Sequence, residues 1–134
     1  MNAKKIFFDT NTLLYLLSSD EDKSNWVSRN LQQSNVISVQ VLNEFTSASL
    51  RKIKLTHAEL DAFLDLFTST FNVRSLDLET FEIGLMVSRR YGYQHYDSMI
   101  MAAALQAGCE RLYSEDMQHR QTIDKRLQIV NPFI

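Results

Sequence analysis

The chain alternates between short, continuous apolar runs and longer stretches whose apolar residues recur every three or four positions. Runs of the first kind read as buried strands and stretches of the second as amphipathic helices. The pattern predicts strands over 5–8, 36–39, 72–76, 111–114 and 127–130. The first helix runs through Leu13, Leu14 and Leu17, and a second carries Trp26, Val27 and Leu31. A third, over 40–52, turns Val41, Leu42, Phe45 and Ala48 inward. Thr56-His57-Ala58-Glu59 fits a capping box and opens a fourth, with Leu60, Phe63, Leu64 and Phe67 as its stripe. Helices over 78–91 and 97–108 follow, the latter stopped by Gly108. Strands alternating with helices predict an α/β fold with a mainly parallel sheet of about five short strands.

Composition adds limits to that frame. Three glycines, one proline, 45% hydrophobic and 22% charged residues suit one ordinary globular domain over residues 1–134. Asp9 interrupts the best apolar stretch, so none approaches the roughly 20 residues of a membrane span. No basic leader precedes an apolar segment, so no signal peptide is expected. The lone Cys109 has no internal partner, which suits a reducing cytoplasm, and reads as a small packed hydrophobe. A net charge of −2 makes the chain no global attractor for nucleic acid. Local basic groups (Arg51, Lys52 and Lys54; Arg89 and Arg90; Lys125 and Arg126) or metal ions can still attract a phosphate, although each such group is by default a solvated face.

One interruption calls for an explanation. In "FFDTNTLLYLL" a carboxylate, a hydroxyl and an amide stand between two segments that both read as buried. In an open parallel sheet, ligands bind beyond the carboxyl ends of the strands, and Asp9 lies at such an end. Asp116 follows the fourth strand, Asp97 opens a buried helix, and Glu44 points toward the apolar side of its own helix. Each has an ordinary explanation: helix caps for Asp9 and Asp97, a turn for Asp116, a boundary position for Glu44. Taken together, they are positions that an alternating topology brings to one sheet edge. Crowded carboxylates repel, which a protein tolerates mainly where a cation compensates. Mg²⁺ takes oxygen ligands and keeps several waters, and its leading use is phosphoryl chemistry.

The segments "FFDTNTLLY", "VLNEF", "YDSMIMAAALQAG" and "LYSEDM", in that order, resemble the PIN-domain ribonucleases, and most of all the VapC-type toxins of bacterial toxin–antitoxin pairs. The likeness spans the chain to its "IVNPF" ending. It implies a three-layer α/β/α fold and an endoribonuclease dependent on Mg²⁺ or Mn²⁺. Asp9, Glu44, Asp97 and Asp116 match the acidic quartet, with Asp9 and Asp97 as the leading direct ligands. Thr10, Asn11 and Ser114 match small polar positions that support it. An RNA substrate, a cognate antitoxin and a homodimer are also implied. The chain departs from the pattern at His119-Arg120, where many relatives carry Asp-Gly, which weakens the case for a second metal.

Two rivals are weighed against this reading. A haloacid-dehalogenase-type phosphatase requires D-x-D, and the second position here is Asn11. A PIN-like module that binds RNA or a partner with weak or no catalysis is the non-enzyme alternative. His57 and His95 read as structural or surface residues, and neither a serine-triad motif nor a phosphate-binding glycine loop is present.

Overall fold

Phe7 and Phe8 are neighbours in strand β1 (Ile6–Phe8), so their side chains point to opposite faces of the sheet, and both are fully buried. Val36 and Ile37 repeat this in β2 (Val36–Ser38). Strands without a wet face need a layer on each side, the α/β/α arrangement. The computed structural model describes residues 4–134 and builds those layers from six α-helices. Helices α1 (Thr10–Leu14) and α2 (Glu21–Arg29), separated by a 3₁₀ turn, connect β1 to β2. Helices α3 (Val39–Ala48) and α4 (His57–Thr70) lead to β3 (Asn72–Arg74), and α5 (Leu78–Tyr91) and α6 (His95–Gln106) to β4 (Arg111–Tyr113). A hairpin of β5 (Thr122–Ile123) and β6 (Leu127–Val130) completes a six-stranded sheet of order β3-β2-β1-β4-β6-β5. Every pairing is parallel except β5 with β6. Among the described residues no helix is long and apolar enough to cross a membrane.

The expected elements are present with shifted boundaries: the first helix, expected through Leu17, is α-helical to Leu14 and 3₁₀ from Tyr15, and the strands expected over 36–39 and 72–76 end at Ser38 and Arg74. Three further differences stand out. The sixth strand, β5, has two residues, too few to leave a periodic signal. Its turn places Asp124 and Lys125 at φ 51° and 57°, with Arg126 N donating to Ile123 O at 3.1 Å. That is type I′ geometry, for which Asn-Gly would have been the warning sign. The helix expected over 40–52 is α-helical only to Ala48; Ser49–Ile53 widens into a π turn that Lys54 ends at φ 63°. The helix expected from 97 starts at His95, so Asp97 lies inside its first turn, and Gln94 holds the cap position.

Local chemistry otherwise accounts for the boundaries. The Thr56–Glu59 capping box forms as expected, and Asp77 with Thr80 makes a second one on α5. Helix α6 is buried from Ser98 to Leu105 and packs against α5. The closest approach is at Gly84, where an added Cβ would fall 2.6 Å from Met99 Sδ. A snug α5–α6 seam thus fixes the helix whose first turn carries Asp97. Cys109 is buried, and burial pushes its thiol up to about 12, in keeping with a packing role.

Candidate active site

From β1 the chain builds outward through β2 to β3, then returns to place β4 on the other side of β1. The carboxyl ends of β1 and β4 therefore flank the topological switch point, where an open parallel sheet leaves a crevice. Asp9 extends β1 by one ladder bond, donating its N–H to Tyr113 O at 3.0 Å. It also caps α1, its Oδ1 accepting from Thr10 N at 2.7 Å. The ordinary explanation for Asp9 as a cap is therefore true. It is incomplete, because Oδ2 has a different partner: Ser114 Oγ, just past β4, donates to it at 2.8 Å.

Ser114 joins the two strand ends. It is fully buried, and its Oγ accepts from Asp116 N at 3.2 Å and from Asn11 Nδ2 at 3.4 Å. Asn11 Oδ1 accepts from Glu115 N at 3.3 Å. Thr10 turns the other way, donating from Oγ1 to Glu44 Oε1 at 2.7 Å and so tying α1 to α3. Gln40, unremarked in the sequence, ties α3 to α6: its Nε2 donates to Tyr96 O at 3.0 Å and reaches Glu44 Oε2 at 3.5 Å. The only sequence signal for Gln40 is its place one helical turn before Glu44.

Asp9, Glu44, Asp97 and Asp116 all line one cleft of about 340 Å³, with Thr10, Asn11 and Gln94 among its other walls. Its α3 side is Glu44, Ser47 and Ala48, spaced i, i+3 and i+4 on one helical face, with Arg51 from the following π turn beside them. Burial, with a smaller push from the charges of Glu44 and Asp97, raises the Asp9 carboxyl to about 7, even though the Ser114 and Thr10 hydrogen bonds oppose it. Asp97 is raised too, first by burial and then by the charges of Asp116 and Glu44. Among the described residues, none of the four carboxylates takes part in an ion pair.

These residues suit a hard divalent cation in their chemistry: all-oxygen, anionic donors without thiolate or imidazole in the cleft. As they stand, no three His, Cys, Asp or Glu side chains among the described residues converge closely enough to hold an ion. Mg²⁺ commonly uses one or two carboxylates and fills its shell with water, so a convergent trio is not required. His119 stands apart from the cleft walls; its Nδ1 accepts from Asn131 N at 2.9 Å, a bond that anchors the segment after β6. Arg120, beside it, adopts φ 70°, the conformation that favours the glycine expected there from the resemblance.

A family model described as the PIN domain matches residues 6–125. The chain belongs to the PIN domain family. Comparison with curated protein sequences gives no significant match. Several solved structures share this PIN fold. A toxin–antitoxin complex from Klebsiella pneumoniae aligns at TM-score 0.72 and 23% identity, covering 95% of this chain and 97% of that one. The DNA-bound VapBC from Salmonella typhimurium aligns at TM-score 0.70 and 20% identity over 95% and 97%. VapC20 of Mycobacterium tuberculosis, described as a sarcin–ricin loop cleaving toxin, aligns at TM-score 0.65 and 20% identity over 83% and 89%.

Proposed function

We propose that this PIN domain is an endoribonuclease dependent on Mg²⁺ or Mn²⁺, the cytoplasmic toxin of a toxin–antitoxin pair. The observation that carries the reading is the cleft: four carboxylates from four separate parts of the chain, one of them buried, with no ion pair among the described residues to offset them. In a metal-free protein the mutual repulsion of those carboxylates costs stability. Asp9 and Asp97 would hold the ion, with Glu44 and Asp116 binding it directly, binding it through water, or orienting water. A divalent cation there supplies charge stabilisation for a phosphodiester under in-line attack and lowers the pKa of a bound water.

This chain's own residues supply the aim. Ser114 and Thr10 N hold the two oxygens of Asp9, and Thr10 Oγ1 holds one oxygen of Glu44. Such supporting bonds restrict the carboxylates to one presentation. Structures of similar fold are described as a toxin–antitoxin complex and a DNA-bound VapBC, which supports a cognate antitoxin as partner; a homodimer is what the resemblance implies.

The test is cleavage of RNA by purified protein with Mg²⁺ or Mn²⁺, stopped by chelation and lost in Asp97→Asn. In bacteria, expression without a partner should slow growth, and Asp97→Asn at equal protein level should relieve it. A second reading, an RNA- or partner-binding module without efficient catalysis, is favoured by the lack of three convergent ligands among the described residues. Protein that binds RNA but leaves it intact with either metal would establish that reading instead.

A further inference from the structure

The cleft that would take RNA is lined by four acidic side chains and a single basic one, Arg51. A strand of phosphodiesters entering such a cleft meets like charge, and one divalent ion offsets only part of it. Three observations separate Arg51 from an ordinary surface arginine. It lines the cleft beside Glu44, Ser47 and Ala48 of α3, just past the end of that helix. The wall to which it belongs changes character there: Arg51 sits in the π turn Ser49–Ile53, a rare local widening that concentrates at functional sites. Its Nε donates to Ser47 O at 3.4 Å, and among the described residues its guanidinium takes part in no ion pair.

An internal role in neutralising the quartet would look different. Arg51 is within ion-pair reach of none of the four carboxylates. The charges felt by Asp9 are those of Glu44 and Asp97, and those felt by Asp97 are Asp116 and Glu44. Neighbouring Lys52 and Lys54 belong to the same sequence cluster but are not cleft walls.

We infer that Arg51 is a substrate-binding residue, whose guanidinium holds a phosphate of the RNA strand flanking the one cleaved. The inference rests on the nuclease reading above. A guanidinium fork matches two phosphate oxygens at once, which a lysine ammonium cannot do. Arg51 therefore contributes position as well as charge, and its place on the cleft wall, out of ion-pair reach of the four carboxylates, assigns it to a phosphate beside the one the carboxylates face.

The test compares Asp97→Asn with Asp97→Asn/Arg51→Ala and Asp97→Asn/Arg51→Lys, so that binding is measured without cleavage. The probe is a fluorescein-labelled single-stranded oligoribonucleotide, titrated with Mg²⁺ present at several salt concentrations. Loss of one phosphate contact should weaken binding several-fold and reduce the slope of log K against log salt by about 0.7. The lysine variant should keep most of the slope while binding more weakly than arginine. In the otherwise wild-type protein, Arg51→Ala should raise KM more than it lowers kcat, with an unchanged Mn²⁺ affinity by calorimetry. An unchanged affinity and salt slope, in a protein whose wild type cleaves RNA, would overturn the assignment alone. Loss of Mn²⁺ binding in Arg51→Ala would overturn it in favour of a structural role. Wild-type protein that neither binds nor cleaves RNA would overturn the nuclease reading and this assignment together.

Discussion

Replacing Asp9 with Asn separates a helix cap from a charged site. Were Asp9 only a cap, Asn would serve nearly as well, and stability would barely change at any pH. The structure demands something else. Burial, aided by Glu44 and Asp97, lifts the carboxyl from 3.8 to about 7. The folded chain thus holds this proton more tightly than the unfolded chain does. Stability from this group is present below the unfolded value and is lost as pH rises toward about 7. Relative to the acid limit, this group costs roughly 4 kcal/mol at pH 8, where it is ionised in place, and roughly 2 kcal/mol at pH 5, where folding must take up its proton. The amide removes that cost but fits the Ser114 hydroxyl less well, an offset of about 1 kcal/mol. In EDTA, Asp9→Asn should therefore be the more stable protein, by roughly 3 kcal/mol at pH 8 and roughly 1 kcal/mol at pH 5. At pH 8 this corresponds to a rise of about 10 °C in Tm for a chain of this size. Mg²⁺ at about ten times its Kd should stabilise the wild type by roughly 1.4 kcal/mol, and the variant should lose most of that gain. Thermal melts from pH 5 to 8, with EDTA or Mg²⁺ at matched ionic strength, measure all of these quantities. A pH-independent difference would refute the burial argument. Equal Mg²⁺-induced shifts in the two proteins would refute Asp9 as a ligand.

Glu44→Gln keeps size and helix propensity, so its circular dichroism should stay native-like while RNA cleavage falls at least tenfold; undiminished cleavage would make Glu44 a boundary residue only. Lys125→Gly relieves a left-handed backbone in the β5–β6 turn and should raise stability by about 0.5–1 kcal/mol in a urea titration. Gly84→Val drives a side chain into Met99 and should destabilise by about 2 kcal/mol, with part of the loss recovered when Met99→Ala is added. A fully additive pair would show that the α5–α6 seam is not the cause.

The readable part of the fold was the part with period. Phe7-Phe8 and Val36-Ile37 announce doubly buried strands, and Thr56–Glu59 announces a helix start with a local mechanism. Asp9 was legible for a related reason: a carboxylate inside an apolar run has no cheap explanation. What escaped was set by contacts distant in sequence or by backbone shape. Gln40 becomes notable only once Tyr96 O is beside it, 56 residues further along the chain. The π turn after Ala48 is set by backbone shape, and the polar and basic residues Ser49, Arg51 and Lys52 are as compatible with an ordinary helix end. Asp124-Lys125 takes a turn that usually carries glycine, so composition concealed the hairpin. The apolar run begins just after Asp97, which makes that residue look like a cap, whereas His95 and Tyr96 form the helix's wet first residues.

The sheet's two outermost strands, β3 and β5, have three and two residues. An outer strand is where another chain can add itself, through a row of backbone groups left without partners. Strands this short give an incoming segment almost nothing to register against. Open-ended growth through the sheet, the route to fibrils, is thereby closed at both sides. A second copy or another protein finds little backbone to pair with at either edge, and the central strand β1, whose end carries Asp9, lies between β2 and β4, away from both edges.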